Sequence, residues 1–400
     1  MQWKRVVSVI VSLMFTLAVP NLGISQSEDG QSQSAILVPA SSIELPGDVG
    51  HRAHTNHLIK FDRKASHGGG GSPSGETPSS LRSVYNLPSS GGSGVIAIVD
   101  AFDYPTAEND LNVFSAQFGL PACTTANGCF KKVFASGSQP SVNCGCSQEA
   151  ALDIEWAHAM SPNAKIVLVE AASNSFVDLF SAVDVATSQV LANGGRGEVS
   201  MSWGGSEFST EASNDSHFQH DGVVYFAASG DAGGANIYPS VSPFVVSAGG
   251  TSVNRDSGGN FVSETGWSGS GGGPSAFESK PTYQSGIAGT SATQRSAPDF
   301  SFDANPNTGV SVYDSTRCHG ARGWLVFGGT SVSSPSLAGI VNNAGHFYVN
   351  SQAELSTIYA NYTNTNDFRD IVTGIAGSFG CGPGYDFVTG VGSNQGTNGK

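Results

Sequence analysis

Charge is scarce in this 400-residue chain, and positive charge is scarcest. It has 18 Lys and Arg against 32 Asp and Glu, a charged fraction of 12% and a formal net charge of −14. Such an acidic surface argues against nucleic acid as a partner. Few ionised pairs also means little stability to lose as carboxylates protonate, which suits a protein meant for acid. Long apolar runs are missing too. Val6 to Val19 is nearly all apolar but short for a membrane span, and no later segment is a candidate. Its basic start, Met1-Gln2-Trp3-Lys4-Arg5, and the small residues Gly23 and Ser25 identify residues 1–25 as an expected secretory signal peptide. The chain is therefore expected outside the cell, free of membrane once the signal is removed, and nothing in it points beyond a monomer.

Cysteine is sparse, with six residues. The usual two-residue spacing of zinc ligands is absent, and Cys144-Gly145-Cys146 matches it poorly. Disulfides in an oxidising compartment are the expectation. Cys123, Cys129, Cys144 and Cys146 allow three pairings, which leaves Cys318 and Cys381 as an expected long-range pair.

A nucleophile is present: Gly328-Gly329-Thr330-Ser331-Val332-Ser333-Ser334-Pro335. Glycines let another backbone approach. The small-residue segment that follows, Ser336 to Val341, suits a packed helix, so Ser331 sits where a loop becomes a helix. A helix start aims free N–H groups at a developing oxyanion. Pro335 is expected in the first turn, where its missing N–H costs little.

The usual base for such a serine is missing. No His-Gly-Thr-His motif of the subtilisin kind occurs, and His158, His217, His220, His319 and His346 lack any such context. Asp100 ends the apolar run Val95–Val99 and is expected to be a strand-end residue. Carboxylates offer the alternative. Glu149 and Asp153, in Ser147 to Ala157, are four residues apart and share one helix face. The segment around them is too apolar to lie loosely in water, while Glu155 points elsewhere and is expected to be solvated. Asp231 follows the strand-like Val223–Ala227 in the turn Ser229-Gly230-Asp231, at a strand end where α/β folds place their chemistry.

Taken together, the chain resembles the sedolisin family of serine-carboxyl peptidases, whose motifs are Glu-x-x-x-Asp, Ser-Gly-Asp and Gly-Thr-Ser-x-x-x-Pro in this order. Ser202-Trp203-Gly204 with Glu207, Tyr238-Pro239-Ser240, Ala248 to Thr251, Trp267 to Gly273 and Arg295 to Asp299 extend the likeness from about residue 83 to 394. The resemblance implies Ser331 as nucleophile, Glu149 as general base and acid, Asp153 as the carboxyl that orients it, and Asp231 as oxyanion stabiliser. It implies one calcium ion held by the side chains of Asp370 and Asp386 and backbone oxygens of Ile371, Gly382 and Gly384, a set of hard oxygen donors suited to that ion. Protein or peptide substrates follow, with endopeptidase action and an acidic optimum. A carboxylate can still take a proton where a histidine, of pKa about 6.5, is already charged. A non-catalytic binding protein and a neutral subtilisin-type hydrolase are the alternatives.

The expected fold is α/β: a subtilisin-like, doubly wound and mostly parallel sheet flanked by helices. Strands are expected at Val95–Val99, Ile166–Val169 and Val223–Ala227, with a weaker one at Val199–Ser202, and helices at 106–117, 149–160, 175–192 and 330–344. The expected organisation is signal peptide 1–25, a short polar pro-region and linker 26–79, and a peptidase domain 80–400 with a C-terminal calcium loop. Family members usually carry a long folded prodomain, and the polar residues after the signal are too few for one. They are expected to act as an inhibitory arm, a spacer or a remnant.

Overall fold

The structure, a computed structural model, describes residues 35–61, 71–318 and 320–400. The expected signal peptide, His319 and residues 62–70 of the expected linker lie outside the described residues.

Seven strands form the parallel body of the central sheet. In spatial order they are Phe130–Phe134, Lys165–Ala171, Val95–Ala101, Gly197–Met201, Val223–Ala228, Val246–Arg255 and Phe300–Asp303. Both faces are covered, which is why these strands are continuous apolar runs rather than alternating ones. Ile96, Ile98, Ile166, Leu168, Val224 and Phe226 point into one core. Val95, Val99, Val167, Val169, Val223 and Tyr225 point into the other. The first core contains the helices Cys144–Met160 and Thr330–Ala344; the second contains Phe176–Asn193. The fold is the subtilisin-like α/β arrangement, and every strand and helix expected from the sequence is present within a few residues of its expected bounds.

Two features place the site. Asp100, Ser202 and Asp231 lie at or just beyond the carboxyl ends of three neighbouring parallel strands, where open α/β sheets hold their chemistry. Above them lies an antiparallel sheet in which Ala35–Leu37 and Leu58–Phe61 extend the hairpin Val310–Cys318/Ala321–Gly328. That hairpin feeds directly into the helix carrying Ser331.

Candidate active site

Glycine makes the turn into the serine helix. Gly329 is its N-cap at φ 99°, a left-handed conformation that costs a side-chain-bearing residue steric strain. A Cβ there would also lie 2.2 Å from the Asn56 carbonyl oxygen and 2.5 Å from Asp231 Oδ2. The expectation for Pro335 is corrected: it stands inside the helix Thr330–Ala344, past the first turn. Its missing N–H leaves the carbonyl of residue 331 without its helical donor. The Ser202 hydroxyl lies 3.3 Å from that oxygen and serves instead.

Ser331 is fully buried. Its Oγ donates to the Ser202 carbonyl at 3.2 Å and accepts the Asn56 N–H at 3.1 Å. Its backbone N–H donates to the Asn56 carbonyl at 3.0 Å. A peptide carbonyl thus sits on the candidate nucleophile's own N–H, where an oxyanion hole would lie.

Asp231 closes the same spot. Its Oδ1 accepts the Thr330 N–H at 2.8 Å and the Thr330 hydroxyl at 2.9 Å, while the buried Oδ2 has no partner. Burial pushes its pKa up to about 8; the two Thr330 donors oppose this and the Glu149 charge adds to it. With both donors on Oδ1, the proton belongs on Oδ2, which lies against Gly329 beside the Asn56 carbonyl.

Glu149 and Asp153 are one turn apart on the helix Cys144–Met160, and both are fully buried. Asn143 caps that helix by accepting the Gly145 and Cys146 N–H groups. Asp153 Oδ1 lies 2.9 Å from the Ser202 hydroxyl. Burial drives the Asp153 carboxyl well above the carboxylate range, reinforced by the charges of Asp100 and Glu149 and by a hydrogen bond with Glu149. The Asp153 carboxyl therefore favours its neutral form beside Glu149. Asp100 is part of the same group: it is buried at the end of its strand, raised first by burial and then by Glu149 and Glu170.

Glu155 is a correction. It is fully buried rather than solvated, accepts the Tyr313 N–H at 3.0 Å, and is held protonated chiefly by burial. The helix is apolar enough all round to be enclosed on every side, so no solvated face exists for it.

His57 was not expected here. Its Nδ1 lies 2.8 Å from Glu149 Oε2, its ring centroid is 5.4 Å from that of Phe327, and it is fully buried. It belongs to residues 53–61, which thread the cleft. Ala53 exchanges hydrogen bonds with Asn174, and His54 and Thr55 pair antiparallel with Gly204 and Trp203. Asn56 N–H reaches the Ser202 carbonyl at 3.2 Å, and Leu58–Lys60 pairs with Val326–Gly328. The one sequence signal was the apolar run Leu58-Ile59-x-Phe61 in an otherwise polar stretch. A cavity of about 560 Å³ lies beside this segment, bordered by His54 and Thr55 on one side and Asp100, Cys146, Asn174 and Trp203 on the other.

No family model matches the chain. Among curated proteins it is 31% identical to sedolisin of Pseudomonas sp. (strain 101) over 172 residues, 39% of this chain and 28% of that one. It is 28% identical to kumamolisin of Bacillus sp. (strain MN-32) over 366 residues, 80% of this chain and 62% of that one. It is 30% identical to xanthomonalisin of Xanthomonas sp. (strain T-22) over 183 residues, 39% of this chain and 21% of that one. These matches support membership of the sedolisin family. It spans less than two thirds of the length of each of these relatives. Among solved structures, Pseudomonas sedolisin, a serine-carboxyl proteinase complexed with two molecules of pseudo-iodotyrostatin, superposes with a TM-score of 0.68 at 23% identity, covering 81% of this chain and 96% of that one. A psychrophilic protease, S41, superposes at 0.52 and 17% identity, covering 81% and 99%.

The expected calcium residues gather on one loop. Asp370 accepts the Gly384 N–H at 3.1 and 3.2 Å through its two oxygens. Asp386 accepts the Gly382, Val388 and Thr389 N–H groups, and burial lifts its pKa to about 6. Both carboxylates also act on the Cys381 thiol. Two acids facing one turn supply carboxylate oxygens of the kind a hard cation takes. Ile371 is buried beside them.

The cysteine expectations are corrected. Cys123 pairs with Cys129 and Cys144 with Cys318, leaving Cys146 buried and free and Cys381 half-buried and free. The expected Cys318–Cys381 bond does not form. The hairpin Val310–Cys318/Ala321–Gly328 packs on the helix Cys144–Met160, and its tip meets the helix start 174 residues earlier in sequence. No helix among the described residues is long and apolar enough to cross a membrane.

Proposed function

We propose that this chain is a secreted serine-carboxyl endopeptidase that hydrolyses proteins or peptides in acid through an acyl-enzyme on Ser331. Glu149 takes the proton from the Ser331 hydroxyl and returns it to the leaving amine. Asp153 orients Glu149 and shares its proton. The Ser331 N–H and the protonated Asp231 carboxyl stabilise the oxyanion, a role worth about 3–4 kcal/mol per donor. The observation that carries this reading is the Asn56 carbonyl: an extended peptide lies antiparallel to Trp203–Gly204 with that oxygen on the Ser331 N–H.

The family likeness supports one calcium ion held by Asp370 and Asp386 with carbonyls of Ile371, Gly382 and Gly384. When bound it would supply positive charge that holds the two acids ionised and ties the loop together. The disulfides and the family likeness support an extracellular location, and the acidic balance supports protein rather than nucleic-acid substrates.

The test is a pH–activity profile on denatured protein beside Ser331→Ala. An optimum below neutrality, with activity lost in the variant by about 10⁴-fold or more, is expected. An optimum above neutrality overturns the assignment. One observation favours a second reading: the His57 imidazole is beside Glu149, so a histidine-based serine hydrolase is the runner-up. A Glu149→Ala variant with full activity would favour it.

A further inference from the structure

The loop closed by Cys123 and Cys129 meets the end of the helix Cys144–Met160, where His158 stands in the last turn. Both sulfurs and a ring nitrogen of His158 lie within 4.8 Å of one another. His158 and Cys123 are fully buried, and Cys129 is half-buried. The imidazole is already oriented. Its Nε2 is 2.9 Å from the Pro121 carbonyl oxygen, which can only accept, so Nε2 carries the hydrogen and Nδ1 the lone pair. Nδ1 is buried and has no hydrogen-bond partner among the described residues. An unpaired buried ring nitrogen calls for an explanation. Here its ring stands beside two sulfurs and is fixed through its other nitrogen by a carbonyl, the arrangement by which proteins orient a metal-binding histidine.

We infer that Cys123, Cys129 and His158 form a binding site for a zinc ion when the Cys123–Cys129 disulfide is reduced. The inference does not rest on the proposed peptidase function. In this structure the two sulfurs are bonded to each other. Hydrogen bonds hold both cysteine backbones independently of that bond. Asn112 accepts the Cys123 N–H at 3.0 Å and donates to the Cys123 carbonyl at 2.8 Å. Asn127 accepts the Cys129 N–H at 3.0 Å, and the Ile166 N–H donates to the Cys129 carbonyl at 2.8 Å. Zinc takes thiolate sulfur at about 2.3 Å and imidazole nitrogen at about 2.0 Å in a tetrahedron, so its ligand atoms stand roughly 3.5–3.8 Å apart. That spacing lies inside the 4.8 Å spread of the three atoms. The exposed side of Cys129 leaves the fourth position to water.

Two molecules of a small thiol open the loop. They are oxidised to their own disulfide, and the two protein sulfurs take up two electrons and two protons. The metal then displaces both protons from sulfur and takes the Nδ1 lone pair, so the His158 ring stays neutral and keeps its Nε2 hydrogen on Pro121. A disulfide oxidant reverses the sequence: it accepts the two electrons, the sulfurs rejoin, and the metal leaves. Thiols stay reduced inside cells. For a chain made there and exported, the metal-bound loop precedes the disulfide and fastens the same two points of the fold.

The experiment reduces the purified full chain with a small thiol at neutral pH and removes the thiol by gel filtration without oxygen. Cobalt(II) and then zinc are titrated in while the thiolate-to-cobalt charge-transfer band is followed. Iodoacetamide labelling of each cysteine is mapped by mass spectrometry with and without zinc. The expected result is a cobalt band that one equivalent of zinc abolishes, slower labelling of Cys123 and Cys129 alone, and no band in the oxidised chain. Cys129→Ser and His158→Gln are expected to lose the band, and Cys146→Ser to keep it. The labelling map needs no variant, so it decides the matter even where a buried substitution unfolds the chain. A reduced chain without the band overturns the inference. So does zinc protection that falls on Cys144, Cys146, Cys318 or Cys381 instead, or a His158→Gln chain that binds zinc as tightly as wild type.

Discussion

The imidazole of His57 lies 2.8 Å from Glu149 Oε2, with both side chains excluded from water. The contact crosses from the segment that fills the cleft to the helix beneath it, so it joins that segment to the proposed base. The two candidate bases are separable by mutation. Glu149→Gln is expected to lower kcat on added substrate by about 10²–10⁴-fold, the range for loss of a positioned general base. His57→Gln is expected to leave an enzyme whose optimum stays acidic. A His57→Gln loss as large as that of Glu149→Gln would make the imidazole the base.

Asp231 answers to a different test because its proposed part is a donated hydrogen bond. Its pKa, pushed up to about 8 by burial, keeps the carboxyl neutral through acid and most of the neutral range. Asp231→Ala is expected to reduce kcat by about 10²–10³-fold with little change in KM, as for loss of one oxyanion donor. Asp231→Asn keeps an N–H donor and is expected to recover part of that loss. It should also remove any alkaline limb near pH 8 from the kcat profile. Equal losses in kcat and rises in KM would point to substrate binding instead.

Buried carboxyls set the direction of stability with pH. Burial lifts Glu354 to about 8, Glu170 to about 7 and Asp314 to about 7. In the unfolded chain such groups titrate near 4. Between about pH 4 and 8 the folded state therefore binds more protons than the unfolded one, and stability falls as pH rises. Calorimetry on Ser331→Ala, which removes self-digestion, is expected to give a higher Tm at pH 4 than at pH 8. Glu354→Gln should flatten that slope by up to about 1.4 kcal/mol per pH unit. A Tm that climbs from pH 4 to pH 8 would contradict the protonated state assigned to these groups.

The central sheet was legible because strands covered on both faces carry unbroken apolar runs, as at Val95–Val99. The Glu149/Asp153 face was legible from four-residue spacing, and Ser331 from glycines before a helix of small residues. Glu155 was misjudged because charge alone says nothing about whether a helix is enclosed on all sides. The cysteine pairing was not legible, since it depends on a hairpin tip returning to a helix start across 174 residues. His57 lay in a polar stretch where periodicity is weak. Its position is fixed by backbone pairing with Trp203–Gly204 and Val326–Gly328, a long-range register that composition does not encode.

The loop at Asp370 and Asp386 gives a prediction with a readout independent of catalysis. Asp386 is half-way to neutral near pH 6 because burial opposes its charge. A bound divalent cation would reverse that preference and bind more tightly as pH rises through that value. Chelation of Ser331→Ala at pH 6 is expected to lower its Tm, and added calcium to restore it; a hundredfold excess over Kd is worth about 2.7 kcal/mol. For a domain of about 320 residues that is a shift of about 4 °C. Asp386→Asn should show the lower Tm from the start and no response to either treatment. Magnesium should rescue poorly, since it asks for a tighter octahedral cage than a turn of glycine carbonyls and two carboxylates supplies. A Tm indifferent to chelator and to calcium would mean that Asp370 and Asp386 only brace the turn through the Gly382 and Gly384 N–H groups they already accept.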